Sequence, residues 1–174
     1  MNNVTRTVRT RPRSGLAIGD VLTAALVSEL LQPSEEFWLV TGWVSDITVI
    51  DNSIHQFDPV VGTEARSSLS LSEVFALLTQ RGTQLHVAVR TDPHNDAFIH
   101  RLRRMCVSEN LHLYSSDDLH EKIMIGWKWV LKGSMNFTWH GTQRNEEALD
   151  FEVGAANAAR QRLDVRTRWL GGQS

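Results

Sequence analysis

The chain has 174 residues, 41% of them apolar, which suits one soluble globular domain and argues against two. Its net charge of −2 excludes a protein that holds DNA by bulk positive charge. No apolar run approaches the ~18 residues that span a bilayer, and the N-terminus lacks the apolar stretch of a signal peptide. With Cys106 as the single cysteine, these features predict a cytoplasmic protein without disulfides or membrane contact.

The N-terminal segment is the basic part of the chain. The stretch "TRTVRTRPR" contains no acidic residue and four arginines, namely Arg6, Arg9, Arg11 and Arg13. We expect residues 1–15 to form a basic arm that can bind phosphates, and residues 16–174 to form the single domain. The alternative for the arm is a disordered, solvated tail.

The first half of the domain combines a helix, a buried strand and a loop. Apolar residues in "GDVLTAALVSELL" recur at helical spacing, with Asp20 available as the N-cap. The apolar run "FWLVTGWVSD" predicts a strand buried on both faces, with Trp38 and Trp43 in the core. "ITVID" is expected to extend the sheet, and "NSIHQFDPVVGTEARSS" predicts a long loop.

Helices and strands also alternate in the second half of the domain. "SLSEVFALLTQRG" predicts a helix with a capping box at Ser70 and Glu73 and Gly82 just past its end. Two more helices are expected in "DPHNDAFIHRLRRMCVSEN", which includes Cys106, and in "AANAARQRLDVRTRWL". "QLHVAVR", "LHLYSS" and "LDFEVG" predict strands. Alternating helices and strands predict a layered α/β domain with a mixed sheet.

The stretch "HEKIMIGWKWVLKGSMNFT" (120–138) predicts a hairpin with its tip at residues 126–128. His120 and Lys122 are two residues apart and therefore face the same side of a strand, as do Ser134 and Asn136 if the return strand continues. These four residues can converge at the open end of the hairpin. An imidazole can attack phosphorus, while ammonium, hydroxyl and amide groups can donate hydrogen bonds to phosphate oxygens.

His120-x-Lys122, Gly133-Ser134-x-Asn136 and Asn145-x-Glu147 together resemble the signature of the phospholipase D superfamily. The resemblance covers roughly residues 20 to 155. "GSMNFT" followed by "NEE" is most similar to the small bacterial nucleases of that superfamily, which carry one copy of the motif. The chain also resembles the phospholipase D-like protein encoded with bacterial 7-deazapurine DNA-modification systems.

The resemblance implies a fold, a reaction and a set of roles. The fold is a phospholipase D-like layered α/β/α sandwich with a mixed central sheet. The reaction uses no cofactor or metal and passes through a phosphohistidine. The implied catalytic residues are His120 as nucleophile or general acid, Lys122 and Asn136 as phosphate ligands, Ser134 beside them, and Glu147 as the residue that orients a histidine. Asn145 is expected to shape the substrate-binding loop.

Two departures from the family pattern qualify these roles. The family motif places an Asp where this chain has Trp127, and that Asp usually has a supporting role. The chemistry uses two histidine motifs, whereas this chain carries one, so an isologous homodimer is expected to bring two copies of His120 into one cleft. Interface area near the axis could come from Trp127, Trp129 or Trp139.

These observations favour a metal-independent phosphodiesterase that acts as a DNA nuclease, with other proteins of a DNA-modification or restriction cluster as candidate partners. The alternative is a catalytically degenerate subunit for nucleic-acid binding or assembly. A phospholipid hydrolase is the third interpretation, which the lack of an amphipathic membrane-binding helix disfavours.

Overall fold

A computed structural model describes residues 4–9, 18–62, 66–134, 136–138 and 148–171. The strands in this part of the chain are β1 (Val4–Arg9), β2 (Glu36–Thr41), β3 (Thr48–Asp51), β4 (Ser68–Ser70), β5 (Gln84–Arg90), β6 (Leu111–Ser116), β7 (Lys122–Ile125), β8 (Trp129–Gly133) and β9 (Ala148–Val153). The α-helices are α1 (Ile18–Leu31), α2 (Asp58–Val61), α3 (Leu71–Gln80), α4 (Asp96–Met105) and α5 (Ala155–Leu170). No helix described here is long and apolar enough to cross a membrane.

Seven strands form one mixed sheet in the order β1-β9-β8-β7-β2-β5-β6, and β3 and β4 form a separate two-stranded sheet. β2, β5 and β6 are parallel, and each crossover between them contains a helix. β7, β8, β9 and β1 add antiparallel pairs to the other side of β2. The predicted mixed sheet is confirmed, except that "ITVID" forms β3 outside it.

Helices cover both faces of the large sheet. Alternate residues of β2 separate the two cores: Phe37 and Leu39 lie in the core with α1, α3 and α4, whereas Trp38 and Val40 lie in the core with α5. Burial of each such side chain contributes roughly 1.5–3 kcal/mol. The three layers confirm the predicted α/β/α sandwich.

Several local predictions are also confirmed. The Ser70 hydroxyl accepts a hydrogen bond from the Glu73 backbone amide, and the Glu73 carboxylate accepts one from the Ser70 amide, so the capping box is complete. Gly82 follows this helix with a φ of +91°, which a residue with a side chain rarely adopts. The hairpin turns at residues 126–128, and the last helix covers the predicted 155–170.

Three element boundaries differ from the predictions. α1 begins at Ile18, so Asp20 lies in its first turn and is not the N-cap. Cys106 follows the last residue of α4 and is buried. The predicted loop contains α2 and is fastened by the buried side chain of Asn52, which accepts a hydrogen bond from the Phe57 amide and donates one to Asp58.

The strand predicted for residues 37–46 ends at Thr41. Asn95, which lies at the start of the α4 region, explains this early end. Its side-chain amide donates to the carbonyls of Gly42 and Arg90 at 2.9 Å each, and its Oδ1 accepts from the Val44 amide at 2.9 Å. These bonds satisfy the backbone after β2 and turn it out of the sheet.

The N-terminal segment predicted as an arm contains strand β1. Residues Val4–Arg9 pair antiparallel with β9, with Val4 opposite Val153 and Arg9 opposite Ala148. The solvated-tail alternative is therefore wrong for these six residues. Residues 10–15 lie outside the described part of the chain.

Candidate active site

The candidate residues gather at one edge of the large sheet. The parallel strands β2 and β5 end at this edge, and the antiparallel register places the start of β7 beside the end of β2, with Thr41 opposite Lys122. β8 ends and β9 begins at the same edge, where Gly133 pairs with Leu149. Ligands commonly bind beyond the carboxyl ends of parallel strands. We call this region the carboxyl edge.

His120 lies just before β7, and Lys122 is the first residue of that strand. The His120 side chain is exposed, and the Lys122 ammonium donates a hydrogen bond to the His120 carbonyl oxygen at 2.7 Å. Glu121 between them faces α5, where its carboxylate accepts from Arg168 at 3.0 Å. Lys122 lies on the opposite face of β7, with Met124, in the layer of α1, α3 and α4.

Ser134 and Asn136 reach the carboxyl edge by a different route from the predicted one. β8 ends at Gly133, so strand alternation does not extend to either residue. The chain bends at Ser134, which is exposed, and Phe137 then forms an isolated bridge with Val44. The Ser45 amide donates to the Phe137 carbonyl at 2.9 Å. This bridge, and not a continued strand, places Asn136 beside the segment after β2.

Gly42 is the point where the two candidate segments meet. A Cβ atom on Gly42 would lie 3.2 Å from the Leu119 carbonyl oxygen and 3.6 Å from Oδ1 of Asn136. Leu119 directly precedes His120, so the absent side chain lets the His120 and Asn136 segments approach each other over the end of β2. Asn136 Oδ1 is buried without a hydrogen-bond partner in the described structure, which marks it as a group with an unmet polar requirement.

Trp43 and its neighbours form a further polar cluster at the carboxyl edge. Trp43 is half-buried, which corrects its assignment to the core, whereas Trp38 is fully buried as predicted. The Trp43 indole donates to Asp92 at 3.1 Å, and the Arg90 guanidinium lies 5.3 Å from the ring centroid. Hydrogen bonds from the His94 amide and from Trp43 lower the pKa of Asp92.

Sequence reasoning missed this cluster because it read Asp92 and Pro93 only as the start of a helix. The available signal was the group of four polar residues between Asp92 and Asp96, shortly after a buried strand. Asn95 in that group is 2% exposed and ties together the ends of β2 and β5. Such a buried, fully bonded amide fixes the backbone from which Gly42 and Trp43 project.

The hairpin tip lies at the other end of β7 and β8, away from the candidate residues. Trp129 is 4% exposed and packs against Phe37, so the expectation that it could supply interface area near His120 is wrong. Trp127 is 39% exposed, but it lies at the tip and therefore also away from a His120 axis. Trp139 lies outside the described residues.

A buried carboxyl group of α1 holds the tip. Oε2 of Glu29 accepts from the Trp127 backbone amide at 3.0 Å and from the Trp129 indole at 3.1 Å. Its Oε1 accepts from the Ser34 amide at 2.8 Å. A Cβ on Gly126 would overlap the same carboxyl group and the Trp129 ring, so a side chain here would force them to move.

The remaining candidate residues are only partly described. Asn145, Glu147, Arg11 and Arg13 lie outside the described residues. The backbone of Arg6 and Arg9 belongs to β1, and Arg9 pairs with Ala148 at the carboxyl edge. The roles of these six residues therefore stay predictions.

Comparisons with known proteins give matches at the level of structure. No family model and no curated protein matches the chain. Among solved structures, it is similar to Nuc of Salmonella typhimurium, described as a phospholipase D family member, with a TM-score of 0.63 and 12% identity over 98% of this chain and 95% of that one. NucT from Helicobacter pylori gives a TM-score of 0.64 and 12% identity over 98% and 97% of the two chains.

The chain has a phospholipase D-like fold. The match spans nearly the whole length of both proteins, so it covers the sheet and both helical layers. A further similar structure is TrmBL2, described as an archaeal chromatin protein with a novel mode of DNA binding. It gives a TM-score of 0.56 and 13% identity over 96% of this chain and 52% of that one. The phospholipase D-like fold confirms the predicted architecture.

Proposed function

We propose that the chain is a metal-independent phosphodiesterase that cleaves DNA with His120 as the nucleophile. The observation that carries the proposal is the meeting of the His120–Lys122 and Asn136 segments over Gly42, at the carboxyl edge of a phospholipase D-like sheet. The phosphodiester would lie between an exposed imidazole and the Lys122 and Asn136 side chains. This arrangement combines a nucleophile with hydrogen-bond donors for phosphate oxygens.

The proposed reaction has two steps. A neutral imidazole nitrogen of His120 attacks phosphorus, the P–N bond forms, and the P–O bond to the leaving nucleoside breaks as a second histidine protonates the departing oxygen. That second histidine, now neutral, takes a proton from water as the water oxygen attacks phosphorus. The P–N bond then breaks and both histidines return to their starting states.

Lys122 and Asn136 would stabilise the negative charge that develops on the phosphate oxygens. The Lys122 ammonium donates a hydrogen bond to the backbone carbonyl oxygen of His120, the proposed nucleophile. It can exchange that neutral acceptor for a phosphate oxygen, which is a stronger acceptor because it is charged. Ser134 would assist at the same oxygens, Asn145 would shape the substrate-binding loop, and Glu147 would orient a histidine ring.

The second histidine would come from a second copy of the chain. Each chain carries one His120 motif, so an isologous homodimer with its axis at the carboxyl edge supplies both the nucleophile and the general acid. Arg6, Arg9, Arg11 and Arg13 would bind DNA phosphates beside this cleft. We further propose that the protein works in the cytoplasm, within a DNA-modification or restriction system of the 7-deazapurine type.

The degenerate, non-catalytic alternative rests on Trp127, which stands where the family has an Asp. What supports activity without that Asp is Glu29, whose carboxyl group at the hairpin tip accepts a hydrogen bond from the Trp127 backbone amide. A supporting carboxyl group is thus present at the tip although the motif residue is not. Loss of the motif Asp therefore does not by itself predict loss of activity.

The proposal is tested by DNA hydrolysis in excess EDTA, with single- and double-stranded substrates assayed in parallel. We expect wild-type protein to cleave DNA in EDTA and His120→Ala to lose cleavage. Substitution of the exposed His55, which lies in the loop between β3 and α2, provides a histidine control for general effects of the change. Cleavage only after addition of Mg²⁺, or cleavage by His120→Ala at the wild-type rate, would refute the proposal.

A further inference from the structure

One face of α4 carries a stripe of basic residues outside the candidate active site. Ala97, His100, Arg101 and Arg104 recur at the spacing of a single helix face, and they line a groove of about 470 Å³ together with Arg66, Glu73 and Met105. We call this groove the α4 groove. It lies on the helical layer that α4 shares with α1 and α3, which is also the side of the sheet that Lys122 faces.

The arginines of the groove keep most of their hydrogen-bonding capacity. Arg101 uses Nε to pair with Asp46 at 2.8 Å, and Arg66 uses Nη1 to pair with Glu73 at 2.6 Å. A guanidinium group has five N–H donors, so each pair leaves several donors for another anion. Arg104 has no ion pair with any residue in the described part of the chain.

Charge in the groove differs in sign from that of the whole chain. The three arginines outnumber the two carboxylates, Asp46 and Glu73, whereas the chain has a net charge of −2. A local excess of positive charge on a mildly acidic protein attracts anions to that place in particular. Guanidinium groups suit phosphate because their planar fork can donate two parallel hydrogen bonds.

The α4 groove is linked to the candidate active site by a series of contacts through Asp46. Asp46, the partner of Arg101, follows Ser45, whose amide donates to the carbonyl of Phe137, the residue after Asn136. Asp46 is itself fixed, because it accepts from both the amide and the hydroxyl of Ser72 at 2.9 Å. From Ala97 to Arg104 the helix rises about 10 Å, enough to extend beyond one phosphate group.

We propose that the α4 groove binds backbone phosphates of the polynucleotide strand whose scissile phosphate lies at His120. This inference rests on the proposed function and adds a location for the flanking nucleotides. Contacts to phosphate alone give binding without sequence preference. The groove therefore holds the strand and positions it, while the carboxyl edge carries out the chemistry.

The test measures binding of a single-stranded oligonucleotide to the His120→Ala protein over a range of salt concentrations. In that background, Arg66→Gln/Arg104→Gln removes two charges from the groove. The matched control, Lys128→Gln/Arg160→Gln, removes two charges from the hairpin tip and from the exposed face of α5. Because both double variants change the net charge equally, a difference between them reports the location of binding.

We expect the groove variant to reduce the slope of log K against log salt by about 1.4, since each phosphate contact to a single strand contributes about 0.7. The control should keep the parent slope, and Arg66→Lys/Arg104→Lys should restore it. Thermal unfolding checks that both Gln variants are folded. Equal slopes for the two Gln variants would contradict phosphate binding at the α4 groove but would not contradict the proposed function.

Two further outcomes separate the possible failures. If the His120→Ala parent does not bind the oligonucleotide, phosphate binding at the α4 groove is wrong. If wild type does not cleave DNA in EDTA, the proposed function is wrong. A further measurement compares the binding of the groove variant and its parent to vesicles that contain phosphatidylglycerol. If the groove variant loses binding to these vesicles and keeps binding to oligonucleotide, the groove recognises a lipid surface and the inference is wrong.

Discussion

The polar groups at the two ends of the β7–β8 hairpin differ in burial and in hydrogen bonding. At the tip, the Glu29 carboxyl group is 1% exposed and accepts hydrogen bonds from three donors that belong to Ser34, Trp127 and Trp129. At the open end, the His120 ring is exposed, Lys122 rests on a backbone carbonyl, and Asn136 Oδ1 is buried with no partner among the described residues.

This contrast separates a structural site from a candidate reactive one. A fully bonded buried group makes the surrounding structure rigid, and its removal destabilises the fold. Polar groups that stay uncompensated in a folded protein are uncommon and often serve a ligand or a reaction. Changes at the tip should therefore affect stability, and changes at the open end should affect activity.

The two lysines of the hairpin give the largest expected difference. Lys122→Ala should lower kcat for DNA cleavage by about 10³-fold, because it removes a charged donor from the developing charge on phosphate. Lys128→Ala, at the tip, is the matched control and should keep wild-type kcat, since Lys128 contacts the Trp127 ring and no candidate residue. Equal loss of activity in both variants would contradict the claim that only the open end of the hairpin takes part in catalysis.

Glu29 is the corresponding test at the tip. Glu29→Ala should lower the free energy of unfolding by about 3 kcal/mol or more, since three donors lose a buried acceptor. Glu35→Ala removes an exposed carboxylate just after α1 and should change stability little. Chemical denaturation measures both variants. If Glu29→Ala kept wild-type stability but reduced cleavage, the assignment of Glu29 as a structural residue would be wrong.

Gly42 offers a smaller and more local test of the open end. A methyl group there would lie 3.2 Å from the Leu119 carbonyl, so the segment that carries His120 must move by a few tenths of an ångström. Gly42→Ala should lower kcat about tenfold, which corresponds to about 1.4 kcal/mol in the barrier. In Gly19→Ala the added methyl meets no atom within 4 Å, and this control should retain full activity.

His86 lies at neither end of the hairpin and tests the pH dependence of stability. Burial lowers the pKa of His86 to about 4, with smaller contributions from His112 and Arg166. The unfolded chain, with an ordinary pKa of about 6.5, binds the proton first as pH falls. The stability that neutral His86 contributes is therefore fully present above pH 6.5 and is lost as the pH falls to about 4.

The limiting slope for this single proton is about 1.4 kcal/mol per pH unit, reached where His86 is protonated in the unfolded chain and neutral in the folded one. Denaturation series at several pH values, compared between wild type and His86→Gln, measure the effect. The variant should show a weaker pH dependence over this window, whereas His100→Gln, on the exposed face of α4, should follow wild type. Identical curves for wild type and His86→Gln would contradict the assignment.

Local patterns predicted much of this molecule. The hairpin with its turn at residues 126–128 follows from the apolar pattern around it, and the capping box at Ser70 and Glu73 follows from helix-end chemistry. These features depend on neighbours within a few residues, which the sequence displays directly. The layered fold followed from the alternation of helices and strands together with the motif resemblance.

Features that depend on distant segments were not predictable in the same way. Glu29 meets the hairpin tip across most of the chain, and nothing near Trp127 indicates that its backbone amide has a buried acceptor. Gly42 similarly joins segments that are far apart in sequence, and Asn95 ends β2 from the beginning of another helix. Strand alternation failed for Ser134 and Asn136 because β8 stops at Gly133.

Isolation of the covalent intermediate tests the central claim most directly. Wild-type protein mixed with DNA in EDTA, quenched in alkali to preserve a P–N bond and digested, should yield a peptide whose phosphorylated residue is His120. His120→Ala should yield no such peptide. Complete turnover of DNA by wild type without any adduct at His120, or with an adduct at another residue, would contradict the account.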